Sequence, residues 1–262
     1  MATPLKQTQG IQSLEIGARV LHAVQLAQRP LALKDVAQAS GLSASQAHRY
    51  LTSWLRTGFV AQEPSSGNYL LGDQSLSLGL AALKQHDTLE RAAAQLAHLV
   101  DELGETAVMS VWCAEGPICV RWLRGQSLLG TDAGLGTIFP IAGSAAGLAF
   151  AAHLSPKLVL PLLIKQTGDD GNTKQQSTDA KIKFRKHTQF LDANRAAVLE
   201  NGYAQARGHF VSGLSAMAAP VFDVQRQMVA SIGVIVREAT FASREIAYAT
   251  ALKKAARLAS IM

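Results

Sequence analysis

GLSASQAHRYLTSWLRTGFV, residues 41–60, decides how the first third of this chain is read. Ser43 is a good N-cap, and Gln46 three residues later completes the capping-box pattern. At about 100° per residue, Ala44, Ala47, Leu51, Trp54 and Leu55 fall on one side of the predicted helix. Ser45, Arg49, Thr52 and Arg56 cluster within about 60° on the opposite side, with Gln46 and His48 at the boundary. Gly58 ends the run. Every amphipathic helix has a polar face, so the wheel alone says nothing of function.

The surroundings change that. Ser13 to about Gln28 repeats apolar residues at Leu14, Ala18, Leu21 and Val24 and stops before Pro30. Leu33 to Ser40 is a very short second helix, with Val36 and Ala37 inward and Gly41 as a stop. FVAQEPSSGNYLLG, residues 59–72, reads as a hairpin around a Pro-Ser-Ser-Gly turn. A short helix, a turn through Gly41 and an outward-facing second helix make a helix-turn-helix, here followed directly by a wing. From Gly41 to Val60 there is no Asp or Glu, as a surface meeting phosphate requires. Double-stranded DNA is the expected partner. Ser45, Gln46, Arg49 and Thr52 are candidates near base edges, and Ser43, His48 and Arg56 nearer the backbone; the choice between base and phosphate stays open for each.

Of 262 residues, 48% are hydrophobic and 17% charged, which fits a packed protein rather than a disordered one. The net charge is +6 and the isoelectric point about 9.5, a modest excess that many enzymes share. Residues before 86 carry 7 basic and 4 acidic side chains, so the smaller N-terminal part is the denser in positive charge. Cys113 and Cys119 have no companions for a metal set, and no cofactor is expected. The stretch MATPLKQTQGIQS lacks a leader's apolar core. Ala133 to Pro156 carries no charge, but its Gly, Ala, Ser and Pro140 suit a buried strand, loop and helix better than a membrane span. A cytoplasmic protein is expected.

Three parts are expected: a DNA-binding domain over 1–72, a linker helix over 73–86 with Leu76, Leu80 and Leu83 in phase, and a domain over 87–262. The last begins with a helix over 88–103 through Leu89, Ala93, Leu96, Leu99 and Leu103. Strand-like runs follow at TAVMSVW, PICVRWL and Thr137 to Ile141, then helices at 144–153 and 155–166. GDDGNTKQQSTD, residues 168–179, marks a loop. A long helix to Asn201, strands at YAQARGHF, SAMAAPVFD and MVASIGVIV, and a helix from about Ser243 close the chain. Helices flanking largely antiparallel strands give an α+β class.

Through DVAQASGLS, HRYL, LRTGFV and GNYLLG, the N-terminal part resembles the winged helix-turn-helix of the IclR (isocitrate-lyase regulator) family of bacterial transcription factors. Through GETAVMSVW, FPIAGSAAGLAFAA, VLENGYA and SAMAAPVFDVQRQMVASIGVIV, the rest resembles that family's GAF-like effector-binding domain. The resemblance implies dimers or tetramers, a palindromic operator and control by a small metabolite. It implies an effector wall at Gly143, Ser144, Ala145 and Ala146, where first-turn amides can hold a carboxylate; close packing of a small-residue helix explains the same run, and both can hold. By position it adds Ala206, Arg207, Ala216 and Gly233. Arg207 could pair an acid or simply face water.

Departures from the family pattern are informative. Leu148 stands where relatives commonly have Lys; Gln205, Ala206, Arg207, Gly208 and His209 replace commonly acidic positions; Ala216, Gly233 and Ile235 replace Cys or Ser. A less polar pocket suits an aromatic or larger acid better than a small keto acid. Other classes fare worse. GSAAG lacks the central Ser of a nucleophile elbow, and Rossmann and P-loop glycine spacings are absent, so no enzyme is expected. A scaffold that binds DNA without a ligand and answers to a protein partner is the alternative.

Overall fold

The computed structural model describes residues 10–27, 29–85, 87–127, 129–168, 177–208 and 210–260. The leader reading at residues 1–9, the helix ends at Gln28 and His86, most of the loop at 168–179 and His209 lie outside them. The chain divides into two compact units, Met1–Gln85 and His86–Met262.

In the first unit, α1 (Gln12–Ala27), α2 (Leu33–Ser40) and α3 (Ala44–Arg56) precede β1 (Val60–Gln62), β2 (Tyr69–Leu71) and α4 (Asp73–Lys84). Gly41 adopts φ 68°, a left-handed turn open to glycine at little steric cost. Its neighbour Leu42 donates its N–H to Ala37 O at 2.9 Å, which closes α2 and turns the chain into α3. β1 and β2 pair antiparallel, and Leu31 bridges to Tyr69 with N–H···O bonds of 2.9 and 2.8 Å in the two directions. Val20, Val24, Leu31, Val36, Leu51, Val60 and Tyr69 form the core. α4 is fastened at its start, where Ser75 Oγ donates to Phe59 O at 2.7 Å. None of its twelve residues is buried.

The apolar stripe of α1 is rotated from the expected one. Gly17, Val20, Ala23 and Val24 are buried, while Leu14 is 62% exposed and Ala18 faces water. The reason is Gly17: a Cβ there would lie 3.3 Å from Trp54 Cζ2, so the bare glycine face is what the large ring packs on. Ala44 is likewise exposed, because it lies in the first turn of α3 beyond the reach of the core.

The second unit is a five-stranded antiparallel sheet in the order β4-β3-β7-β6-β5, built from β3 (Thr106–Cys113), β4 (Gly116–Leu123), β5 (Ala204–Arg207), β6 (Leu214–Phe222) and β7 (Met228–Arg237). On one face lie α5 (Asp87–Leu103) and α9 (Glu238–Ala259); on the other α6 (Ala145–His153) covers the strands, backed by α7 (Pro156–Gln166) and α8 (Ser177–Asn201). The class is α+β, and among the described residues no helix is long and apolar enough to cross a membrane.

Four expected elements differ in the structure. Thr137 to Ile141 is not a strand: it runs along β4 with one bridge, Ile118 to Ile138, and Pro140, which lacks an N–H, cannot extend the ladder. YAQARGHF pairs only over Ala204–Arg207, since Gly208 at φ 64° leaves the extended region. The last helix starts at Glu238 rather than Ser243, directly from β7 and without a side-chain cap, so no capping signal marks it. The loop expected over 168–179 gives way earlier, because the long helix to Asn201 already starts at Ser177.

Candidate functional site

α3 is held as a rigid strut. Leu51 and Ala47 are fully buried beneath it. Trp54 Nε1 donates to Gly17 O at 2.9 Å, and the Trp54 ring meets Phe59 edge-on with centroids 5.4 Å apart. The N-terminus is capped from both sides. Ser43 Oγ accepts from Gln46 N–H at 3.3 Å, and Ser43 N–H donates to Gln46 Oε1 at 3.2 Å. Gln46 therefore spends its oxygen on the helix end and keeps its amide NH2 for anything outside.

The outward side holds the candidates together. Ser43, Ser45, Gln46, His48, Arg49 and Arg56 are exposed and Thr52 is half-buried. The Thr52 hydroxyl donates to His48 O at 2.9 Å, which leaves it only acceptor capacity. Among the described residues, no hydrogen bond or ion pair engages the side chains of Ser45, Arg49 or Arg56. Two guanidiniums standing unpaired on an acid-free helix face form an electropositive ridge suited to phosphate and to base acceptors. The wing turn contributes the opposite sign at Glu63, whose carboxylate accepts from Ser66 Oγ.

In the second unit, α6 begins where Ser144 Oγ accepts from Gly147 N–H at 2.9 Å and donates to Pro140 O at 2.7 Å. The amides of Ala145 and Ala146, in the first turn, have no acceptor within the helix. Ala145 borders a cavity of about 40 Å³ that Gly143, Ser144, Ala206 and Ala216 line with it. A further recess of about 30 Å³ continues it past Ala146 and Gly233. Seven of the eight effector candidates are thus brought together.

Arg207 is the exception. Ala204 and Ala206 face α6 in the core, so the intervening register sends Arg207 to the other side of the sheet. There it pairs with Glu245 at 2.7 Å and lies over the Phe241 ring at 4.8 Å. An acid in the cavity does not meet it. Trp122, Phe139, Phe210 and Thr131 were not singled out in the sequence, yet they supply much of the wall. Trp122 sits opposite Val108 on the cavity side of β4, an alternation legible only once the strand register is known.

Comparison with known proteins follows the same division. The family model described as the IclR helix-turn-helix domain matches residues 13–64, and that of the bacterial transcriptional regulator IclR C-terminal domain matches residues 80–261. The glycerol operon regulatory protein of Streptomyces griseus is 31% identical over 224 residues, covering 86% of this chain and 84% of that protein. The transcriptional repressor IclR of Escherichia coli is 29% identical, covering 86% and 79%. The crystal structure of Pseudomonas aeruginosa HmgR is 29% identical with a TM-score of 0.56, covering 95% and 97% of the two chains. An IclR homolog from Microbacterium hydrocarbonoxydans, solved in complex with 4-hydroxybenzoate, shares the fold with a TM-score of 0.69 at 17% identity and covers 94% and 97%.

Proposed function

The chain belongs to the IclR family of bacterial transcriptional regulators, which bind DNA, and from that premise we propose that it grips a palindromic operator as an oligomer and answers to a small aromatic or other carboxylic acid. The observation that carries the DNA reading is the outward face of α3, with Arg49 and Arg56 unpaired and no carboxylate beside them. Ser45, Gln46, Arg49 and Thr52 face base edges, and Ser43, His48 and Arg56 the backbone. The wing lies along an adjacent phosphate ridge. The working division is a DNA-binding domain over 1–72, a connecting helix over 73–86 and an effector domain over 87–262.

One recognition helix reads one half-site, so a palindrome calls for two copies. α4 supports self-association: Leu76, Leu78 and Leu80 are 65%, 61% and 46% exposed, and a twelve-residue helix burying nothing is marginal by itself. The cavity beside the first turn of α6 supports an acid, since its amides and helix dipole favour a carboxylate. Its apolar and aromatic lining suits a ring, and an aromatic acid is what the Microbacterium homolog holds. Ligand binding would shift the relative placement of the recognition helices and so the operator affinity.

Selection from randomised DNA, with the mass of the complex measured, tests the operator reading. A non-palindromic site bound by one copy would sink it. Thermal shift against a library of carboxylates tests the effector, because a ligand stabilises by RT ln(1 + [L]/Kd). The small volume of the cavity favours a second reading, a ligand-independent scaffold answering to a protein partner. No shift with any acid would select it.

A further inference from the structure

The cavity at α6 shares Thr131, Ala133, Phe210 and Val211 with a wider, more open recess. This vestibule, of about 470 Å³, is lined by Gly130, Thr131, Asp132, Ala133, Thr137, Phe210 and Val211. Phe210 belongs to both walls. Its ring meets Phe139 edge-on, with centroids 5.7 Å apart and planes 80° apart. Phe139 is only 4% exposed, whereas Phe210 is 42% exposed. One ring is therefore fixed in the core, and the other leans on it from the water side.

The volumes decide what this arrangement means. About 40 Å³ holds three or four waters at roughly 10–15 Å³ each, while benzene occupies a cavity of about 150 Å³. The inner cavity is too small for an aromatic acid unless a wall moves. Most of the wall is immobile. Gly143, Ser144 and Ala145 are pinned by the Ser144 cap, and Ala206, Ala216 and Ile235 are paired in the sheet. Phe210 is tied by neither device. It sits in a turn whose base is closed by Gly208 N–H to Leu214 O at 2.8 Å, with glycines in the left-handed region at Gly208 and Gly213.

We propose that Phe210 is the gating residue of the effector cavity: its ring must leave Phe139 before a ring-sized acid passes from the vestibule to the amides of α6, and it closes behind the ligand. The proposal rests on the acid-sensor reading for its ligand but not for its motion. It assigns to Phe210 control of entry and exit rates, and of how long a ligand the cavity accepts. The cost of opening is the loss of one edge-to-face pair together with transient exposure of the Phe139 ring.

Two measurements on the full-length protein test it. The first needs no ligand. With fluorotryptophan incorporated, the 19F resonance of Trp122, assigned through Trp122→Phe, reports access of a soluble nitroxide to the inner cavity. Phe210→Ala should increase nitroxide relaxation of Trp122 and leave Trp54 and Trp112 unchanged; Phe210→Trp should not increase it. An unchanged Trp122 in Phe210→Ala overturns the gate. The second uses benzoate and 4-hydroxybenzoate in stopped flow. In Phe210→Ala both association and dissociation should accelerate, by roughly two- to tenfold, the change in opening rate that loss of one aromatic pair allows. A change in dissociation alone would make Phe210 a plain wall and overturn the proposal. If neither acid binds while Trp122 becomes accessible, the gate stands and these acids are excluded as effectors.

Discussion

The indole N–H of Trp54 donates to the main-chain oxygen of Gly17 at 2.9 Å, and the same ring packs on the bare face of Gly17, 3.3 Å from where a Cβ would stand. One residue of the recognition helix is thereby fixed to the backbone of α1. The contact sets the rotation of α1, and it sets the angle at which Arg49 and Arg56 leave the opposite face of α3. Packing and presentation are one problem here.

Trp54→Phe keeps a ring but removes the donor, while Gly17 O, inside α1, keeps its place in the helical hydrogen-bond ladder. The expected cost is about 0.5–1.5 kcal/mol of stability in urea unfolding. Gly17→Ala pushes a methyl against Trp54 Cζ2 at 3.3 Å, and the ring must give by a few tenths of an ångström. The Trp54 hydrogen bond holds that ring in place. An overpacking cost of about 1–3 kcal/mol therefore outweighs the roughly 1 kcal/mol of helix propensity that alanine gains, and a net loss of up to about 2 kcal/mol is expected. If both variants unfold like the parent, the clamp carries no weight.

Arg49 and Arg56 should separate by what they touch. Arg49→Ala is expected to weaken operator binding by about 1–3 kcal/mol and relax preference at one position, as loss of a bidentate base contact does. Arg56→Ala should lower the slope of log K against log salt by about 0.9 and leave base preference intact. Titrations at several salt concentrations, with a randomised-site selection for each variant, distinguish the two.

Why the first unit was so legible lies in its local chemistry. The Ser43–Gln46 cap, the Gly41 turn and the buried Ala47 and Leu51 are all within a few residues of one another, where helical periodicity and capping rules apply directly. What escaped was non-local. Gly17 is not apolar by composition, and only the Trp54 ring 37 residues away makes it a buried face. In the second unit, small residues at 143–146 pointed to the cavity wall, but the far wall depends on register. Ala206 faces the cavity and Arg207 does not, a parity that a one-residue slip would reverse. Phe210 lies in a turn with no periodicity to read.

His153 gives a pH dependence with a definite sign. Burial holds its pKa below the usual 6.5, and the charge of Arg195 adds to that; its ring packs edge-on against Phe222 at 5.1 Å. The folded protein keeps the imidazole neutral at pH values where the unfolded chain binds a proton. Its contribution is present above about pH 6.5 and is lost as pH falls through the folded pKa. His153→Gln should flatten the fall in melting temperature between neutral pH and about pH 5. An unaltered slope would show that other groups dominate the acid limb.

Gly143 and Gly147 are four residues apart and should behave oppositely. A Cβ on Gly147 would lie 2.4 Å from both Pro140 O and Ile141 O. Both are backbone atoms of the turn that Ser144 caps, so neither can yield without breaking the start of α6. Gly147→Ala is therefore expected to destabilise the effector unit by about 3 kcal/mol or more, within the range of severe overpacking. A Cβ on Gly143 meets nothing closer than Pro140 Cγ at 3.4 Å, an ordinary contact. Gly143→Ala should fold with nearly parental stability while adding a methyl at a residue that lines the roughly 40 Å³ cavity. Any thermal shift that a benzoate produces in the parent should shrink or vanish in this variant, at unchanged melting temperature without ligand. A full shift retained in Gly143→Ala would mean that the acid sits elsewhere.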